Sequence, residues 1–289
     1  MIGLFGIILT FGMVFGMYML SGGKIQIVME AIPHEFPMLM GGAIGAYLLG
    51  NSKTVLKATP REIVKSFKGA KFSRQDYRDL LCLLYTLCKL MKSKGLIVIE
   101  QHIERPEEST IFSQYPRILA DQFAVHLICD TLRTLTMGME NPLQIEEIID
   151  KQLEKHHHES CGSGYGLQTM SDALPAIGII VAVLGVIKTM ASINEPPAIL
   201  GAMIGGALVG TFLGVFMAYC VVGPISAMNL AIHGEEQQFY FIIRDVLVAH
   251  LKGMAPQISM EMGRGDVPGH YQPSFLEMEQ ATSELKIEA

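Results

Sequence analysis

Charge is what this sequence lacks over its longest apolar stretches. Only 17% of its 289 residues are charged, against about 25% in ordinary soluble domains. The shortage is local. Residues 173–234 hold two formal charges, Lys188 and Glu195, while residues 51–172 hold 16 Lys+Arg and 16 Asp+Glu. Such unevenness excludes both a uniform soluble globule and a disordered chain. Trp is absent, so an aromatic belt at a membrane interface must rely on residues such as Tyr18, Tyr47 and Tyr219. The five Cys are an odd number with no CxxC pair, which argues against a disulfide framework or a zinc ribbon and places the aqueous part in a reducing compartment. No P-loop, HExxH or GxSxG occurs, and no nucleophile has an evident base; Asp266 near the C-terminus has no matching partner. An enzyme is therefore not expected, and neither is a cofactor or a resident metal. The net charge of −6 argues against nucleic acid as a partner. His156, His157 and His158 are consecutive, whereas metal ligands sharing a helix face need i, i+3 or i+4 spacing. They read as a solvated helix end, and His126, between apolar residues, reads as a core histidine.

The charge-free runs are long enough to cross a bilayer, which takes about 20 apolar residues as a helix. Residues 1–23 carry no charge and have no basic residue ahead of the apolar stretch, so they read as an uncleaved first span. Residues 36–52, extended by Ile32 and Pro33, form a second, Asp172–Thr189 a third, and the uncharged residues 196–234 hold a fourth. Basic residues set the orientation. Lys53, Lys57, Arg61, Lys65, Lys68, Lys71, Arg74 and Arg78 crowd the chain after the second span, while the connections near 21–31 and 192–198 hold only Lys24. Both termini and the large loop are expected on the cytoplasmic side. The expected fold is an all-α membrane protein: transmembrane helices in 1–50, a helical cytoplasmic domain in 51–171, transmembrane helices in 172–230, and a cytoplasmic helix extension and tail in 231–289.

Within the loop, Tyr77, Leu80, Leu81, Leu84, Leu87 and Met91 recur at helical spacing after a Ser73–Asp76 capping box, with Gly95 as the stop. A second helix is expected over 117–136, and a third from Asn141 and Pro142. The last span is expected to continue as a helix until Gly253 and Pro256.

The spans themselves hold the residues that bear on function. Gly201 with Gly205, and Gly206 with Gly210 and Gly214, have the spacing that lets helix backbones approach, whether within the chain or around a partner's helix. Pro175 and Pro224 interrupt the amide ladder near the cytoplasmic ends of two spans, as helix boundaries or as hinges. Thr211 either back-bonds to the preceding turn or lines a polar path. Lys188, near the outer end, reads as a side chain snorkelling to the interface. No Asp or Glu is expected at mid-membrane depth, so a conducting complex would need a carboxylate from another chain.

The stretches MLSGG (19–23), IFSQYPRILAD (111–121), DALPAIGIIVAVLGVI (172–187), GALVGTFLGVFMAY (206–219) and PSFLEME (273–279) resemble the MotA stator subunits of the MotA/TolQ/ExbB family. The resemblance runs over nearly the whole chain. It implies a bacterial inner-membrane protein that self-associates as a pentamer around MotB-like single-span chains, whose aspartate binds the ion, and that drives a FliG-like rotor protein. Pro175 and Pro224 match the family's two functional prolines, and Thr211 its ion-path threonine. Ala182 stands where sodium-driven relatives carry threonine, which favours a proton as the transported ion. Lys92 and Glu100 fall at the rotor-contact positions, Lys92 replacing an arginine and losing its bidentate fork. TolQ- and ExbB-like energisers of an envelope process typically have three spans and are a second possibility; a non-conducting membrane scaffold is a third.

Overall fold

A computed structural model describes residues 2–139 and 141–285, and all regular structure among them is helical. Residues 286–289 of the expected tail lie outside the described residues. Two compact units emerge: unit 1 takes the chain up to Gly69 together with Ser160–Ile232, and unit 2 takes Ala70–Glu159 together with the chain from His233 onward.

Unit 1 is built from α1 (Ile2–Leu20), α2 (Ile25–Gly50), α3 (Lys53–Lys68), the later part of α8 (Pro142–Ala191), α9 (Pro197–Met217) and the start of α10 (Gly223–Leu251). A single π-helical turn, Ala218–Val222, joins α9 to α10. By length and composition α1, α8 and the joined α9–α10 helix are able to cross a membrane. At 26 residues α2 is also long enough, about 39 Å at 1.5 Å per residue, but Glu30, Pro33, His34, Glu35 and Pro37 lower its apolar character. It begins eleven residues before the charge-free run that marked the second span. The outer connection expected over 21–31 therefore shrinks to 21–24, and Glu30 and Glu35 become helix residues.

The units also divide the chain differently from its polarity. Residues 51–69 and 160–171, expected in the loop domain, belong to unit 1 because polar groups tie them there. Tyr47 and Thr59 share a hydroxyl hydrogen bond of 2.6 Å, Asn229 Nδ2 donates to Ser66 Oγ at 3.2 Å and to Glu62 Oε2 at 3.3 Å, and Ser226 Oγ donates to the Gly164 carbonyl at 2.8 Å.

Unit 2 contains α4 (Arg74–Lys94), α5 (Leu96–Glu104), α6 (Pro116–Leu119), α7 (Gln122–Thr136), the early part of α8, the rest of α10, α11 (Pro256–Gly265) and α12 (Phe275–Glu284). The Asp76 carboxylate accepts the Ser73 amide at 2.7 Å and so closes the start of α4. Gly95, with φ +80°, ends it in a conformation glycine adopts freely. The expected leucine stripe of α4 is buried in one apolar core with Leu127, Ile128 and Leu132 of α7 and Phe239, Ile242 and Val246 of α10, and Phe72 stacks on Phe239 at 3.7 Å.

Three expectations for this unit need correction. The helix expected over 117–136 is broken, because Asp121 turns its side chain onto the backbone. Its Oδ1 accepts the Ala124 amide at 3.0 Å, which starts α7 afresh, while Oδ2 accepts Lys71 Nζ at 2.7 Å and the Tyr240 hydroxyl at 3.0 Å. The helix from Pro142 and the third span are one 50-residue helix, α8. The histidine triplet consequently lies mid-helix. His156 stacks on the Phe123 ring at 3.6 Å and meets Tyr240 edge-on, His158 is exposed, and His126 is exposed rather than in the core. Burial holds the His156 imidazole below its ordinary pKa.

Candidate functional site

Unit 1 is held by a seam of glycines. A Cβ placed on Gly214 of α9 would stand 2.8 Å from the Leu174 carbonyl oxygen and 2.9 Å from Gly178 Cα, and one placed on Gly178 of α8 would stand 3.0 Å from the Gly210 oxygen. Both helices thus touch through backbone atoms, an approach that only glycine permits. The Gly206–Gly210–Gly214 step therefore serves packing within the chain, whereas Gly201 faces open space. Thr211, half-buried, flanks the seam, its Cα 3.4 Å from the place a Gly178 Cβ would take. Ala182, also half-buried, follows Val181, whose side chain covers Gly210.

Pro175 lies inside the unbroken α8, and Pro224 is the second residue after the π turn. Each proline removes the amide that would bond four residues back, at Ser171 and Cys220. The π turn is the local answer at Pro224: the Gly223 amide reaches the Ala218 carbonyl, one residue beyond α-helical reach. The Ser171 hydroxyl donates to that same carbonyl at 2.8 Å, and both residues are buried. One residue thus joins the two proline segments, its own carbonyl freed by Pro175 and its hydroxyl fastened to the turn beside Pro224. The sequence signal for Ser171 is its place four residues ahead of a proline; its partner across the helices has none.

Glu35 is the second residue that hydropathy missed. It belongs to a buried stripe, Ala31, Glu35, Leu39 and Ala43, through which α2 packs along α9. Those four-residue steps are visible in the sequence once α2 is known to start at Ile25. A Cβ on Gly210 would stand 3.0 Å from Glu35 Oε2. Glu35 thus lies on the packed face of the helix that holds the expected second span, because helix geometry rather than freedom from charge sets where α2 begins.

Two family profiles match the chain, "Motility protein A N-terminal" over residues 4–95 and "MotA/TolQ/ExbB proton channel family" over residues 120–239. Motility protein A of Salmonella typhimurium is 37% identical over 280 residues, covering 97% of this chain and 94% of the relative. Motility protein A of Escherichia coli is 35% identical over 286 residues, covering 99% and 96%.

The chain belongs to the motility protein A family.

Chemotaxis protein LafT of Vibrio parahaemolyticus is 32% identical over 279 residues, covering 96% of this chain and 97% of the relative. In fold, the chain resembles the structure of C. jejuni MotAB, with TM-score 0.72 and 18% identity over 92% of this chain and 95% of that one. It also resembles the flagellar MotAB stator complex from Bacillus subtilis, with TM-score 0.67 and 20% identity over 89% and 92%. This is a family of motility and proton-channel proteins rather than a class of enzymes.

The residues expected to bear on function divide between the units. Pro175, Ala182, Thr211 and Pro224 lie in unit 1, whereas Lys92 and Glu100 lie in unit 2. Lys92 is exposed in the last turn of α4 and Glu100 is exposed on α5, with the Gly95 turn between them. Asp266 has a partner after all. It faces Asp245 of α10, whose carboxyl is pushed up to about 6 by burial and by the Asp266 charge, against the pull of Arg244 at 2.8 Å.

Proposed function

We propose that the chain is a stator subunit of a bacterial flagellar motor. It spans the inner membrane four times, through α1, α2, the later part of α8 and α9, with both termini and unit 2 in the cytoplasm. A pentamer of such chains surrounds a dimer of MotB-like single-span partners. Protons cross the complex and turn the pentamer, and unit 2 pushes a FliG-like rotor protein through Lys92 and Glu100. The observation that carries this reading is family membership over nearly the full length of both chains.

The rest of the site agrees with it. A glycine seam at backbone contact lets two helices slide or tilt as a pair, and prolines at Pro175 and Pro224 supply compliance where α8 and the α9–α10 helix need it. Thr211 borders the seam and Ala182 follows the residue that covers it, where a moving ion would be felt by the packing. Ala182, with no hydroxyl to ligate sodium, supports the proton as cargo. No step calls for covalent chemistry, so enzymatic activity is not part of the role.

Deleting the gene should leave flagellated cells that do not swim, in a strain carrying no second stator set; normal swimming rejects the proposal. Co-expression with the single-span partner should give a complex that leaks protons once activated. A copurifying partner with a non-flagellar, envelope-spanning domain would favour a TolQ/ExbB-like energiser, and a complex without flux under any activating condition a scaffold.

A further inference from the structure

Glu35 is 8% exposed, and its Oε2 has no hydrogen-bond partner among the described residues. Burying an ionised carboxylate without partners costs several kcal/mol. In a membrane protein such a group marks a functional site by default. Its depth follows from helix geometry at 1.5 Å per residue. Glu35 is ten residues from the start of α2, about 15 Å. Gly210, which it faces, is thirteen residues into α9, about 20 Å. Val181, packed on Gly210, is ten residues from the end of α8, again about 15 Å. All three distances run from the outer ends of their helices, so in a bilayer core of about 30 Å the carboxyl sits near mid-depth.

A cleft between α2, α8 and α9 leads to it, and Glu30, His34, Lys188 and Thr189 line the approach. Glu30, His34 and Lys188 are exposed, as a water-filled mouth requires. The α9 wall, including Ala202 and Gly206, is apolar, so the titratable groups facing the carboxyl come from α2 and α8 alone. Thr189 is buried and spends its hydroxyl on the Gly185 carbonyl at 2.9 Å, so it does not compete for Oε2. A Cβ on Gly210 would stand 3.0 Å from Oε2 and 2.9 Å from Val181, so the carboxyl uses room that only glycine leaves.

We propose that Glu35 is a proton-binding station of this chain's own, at the inner end of an outward-opening cleft. The inference rests on the proton-conducting reading above and deepens it, since the wall of the conductor then carries a carboxyl in addition to any the partner brings. A hydronium entering the cleft gives its proton to Oε2, forming one O–H bond and leaving one water. The neutral acid is the form that a site at this depth tolerates. Release returns the proton to water or to the next acceptor and restores the carboxylate.

The test uses the complex of this chain with its single-span partner, reconstituted in liposomes. Infrared difference spectra across a pH step should show a carboxylic-acid C=O band in the parent and in E35D that is missing in E35Q. Proton flux in E35Q should fall about tenfold at equal complex yield, with E35D within a few-fold of the parent. A spectrum unchanged in E35Q, or an unchanged flux, overturns the proposal. Should E35Q fail to assemble, G210A serves instead, because its methyl meets Oε2 without removing the carboxyl; it should shift the band, and an unshifted band overturns the proposal. Loss of assembly in both E35Q and Lys188→Met would identify a structural ion pair and also overturn it. A parent complex that conducts nothing defeats the function proposed above, while the infrared band still decides whether Glu35 binds a proton.

Discussion

In unit 2 the side chains with no exposure are mostly apolar, such as Leu80, Leu84, Phe112 and Phe239, with Ser259 among them. In unit 1 Ser226 and Asn229 are hidden as fully as Leu39 and Leu174, while many large apolar side chains, such as Leu20 and Leu49, stand 82% and 92% exposed. The two units thus draw on the same forces in different proportion. Water drives apolar surface together at roughly 25 cal/mol per Å², and unit 2 uses that force. Between helices that face lipid the force is absent, so unit 1 relies on close backbone approach and on hydrogen bonds that have no competitor. Apolar residues in unit 1 tell little about which face packs, and small or polar residues tell most. In unit 2 the reverse holds.

Substitutions can break this contrast, and the largest effect is expected at the seam. Gly214→Ala pushes a methyl against backbone that cannot yield and should cost unit 1 about 2–3 kcal/mol. Thermal unfolding of the detergent-purified complex measures it, with Gly201→Ala as the silent control; equal behaviour of the two would mean that the seam does not hold the helices.

Asp121→Asn should cost unit 2 about 2 kcal/mol, since a buried carboxylate loses charge toward Lys71 and weakens its other bonds. Burial opposes ionisation of Asp121, but Lys71, the Ala124 amide and Tyr240 outweigh it and hold the group below the usual carboxylate range. A depressed carboxyl gives stability above its unfolded pKa of about 4 that is lost as pH falls through the folded value. The variant should therefore show a flatter acid limb in melting temperature against pH, and an unchanged limb would place acid sensitivity elsewhere.

Ser171→Ala removes one buried bond, worth about 1 kcal/mol. Its effect on swimming speed should exceed its effect on complex yield if the π turn and the prolines move together; parallel losses would reduce Ser171 to packing.

Asp266→Asn works in the opposite direction. A raised carboxyl contributes stability that is present below about pH 4 and lost as pH rises toward about 6, so Asp245 burdens unit 2 at neutral pH. Removing the facing charge should stabilise it by about 0.5–1 kcal/mol at pH 7, with the gain over the parent growing between pH 4 and 7. A gain independent of pH would rule out the carboxyl pair as its source.

The smallest stability change belongs to Lys92→Glu, within about 0.5 kcal/mol because the side chain is exposed. Motility at high load should nonetheless drop and recover when the opposing rotor charge is reversed; normal motility at high load would remove Lys92 from the contact.

Much of this was legible from residues alone, for definite reasons. Long charge-free runs, the stripe from Tyr77 to Met91, the Ser73 cap and the Gly95 stop are local signals, and the helices obey them because backbone hydrogen bonding and periodicity act over a few residues. The site was half legible. Pro175, Pro224 and the glycine steps stand out as residue types, but neither Ser171 nor Glu35 does. Ser171 matters because a carbonyl 47 positions away comes within 2.8 Å. The histidine triplet looks like a solvated helix end in the sequence, because only the arrival of Phe123 half-buries the His156 ring.

Helicity, the split between lipid-suited and water-suited parts, and the glycine and proline punctuation are all readable in the residues. Those properties follow from composition and short-range periodicity. Tertiary structure alone decided which polar atoms are hidden and from what. The charge deficit does not extend to the whole of α2, because the helix starts early enough to carry Glu35 onto its buried face, and Gly210 on α9 leaves the space for it. Burial is a property of neighbours brought from elsewhere in the chain, and no local pattern records their arrival.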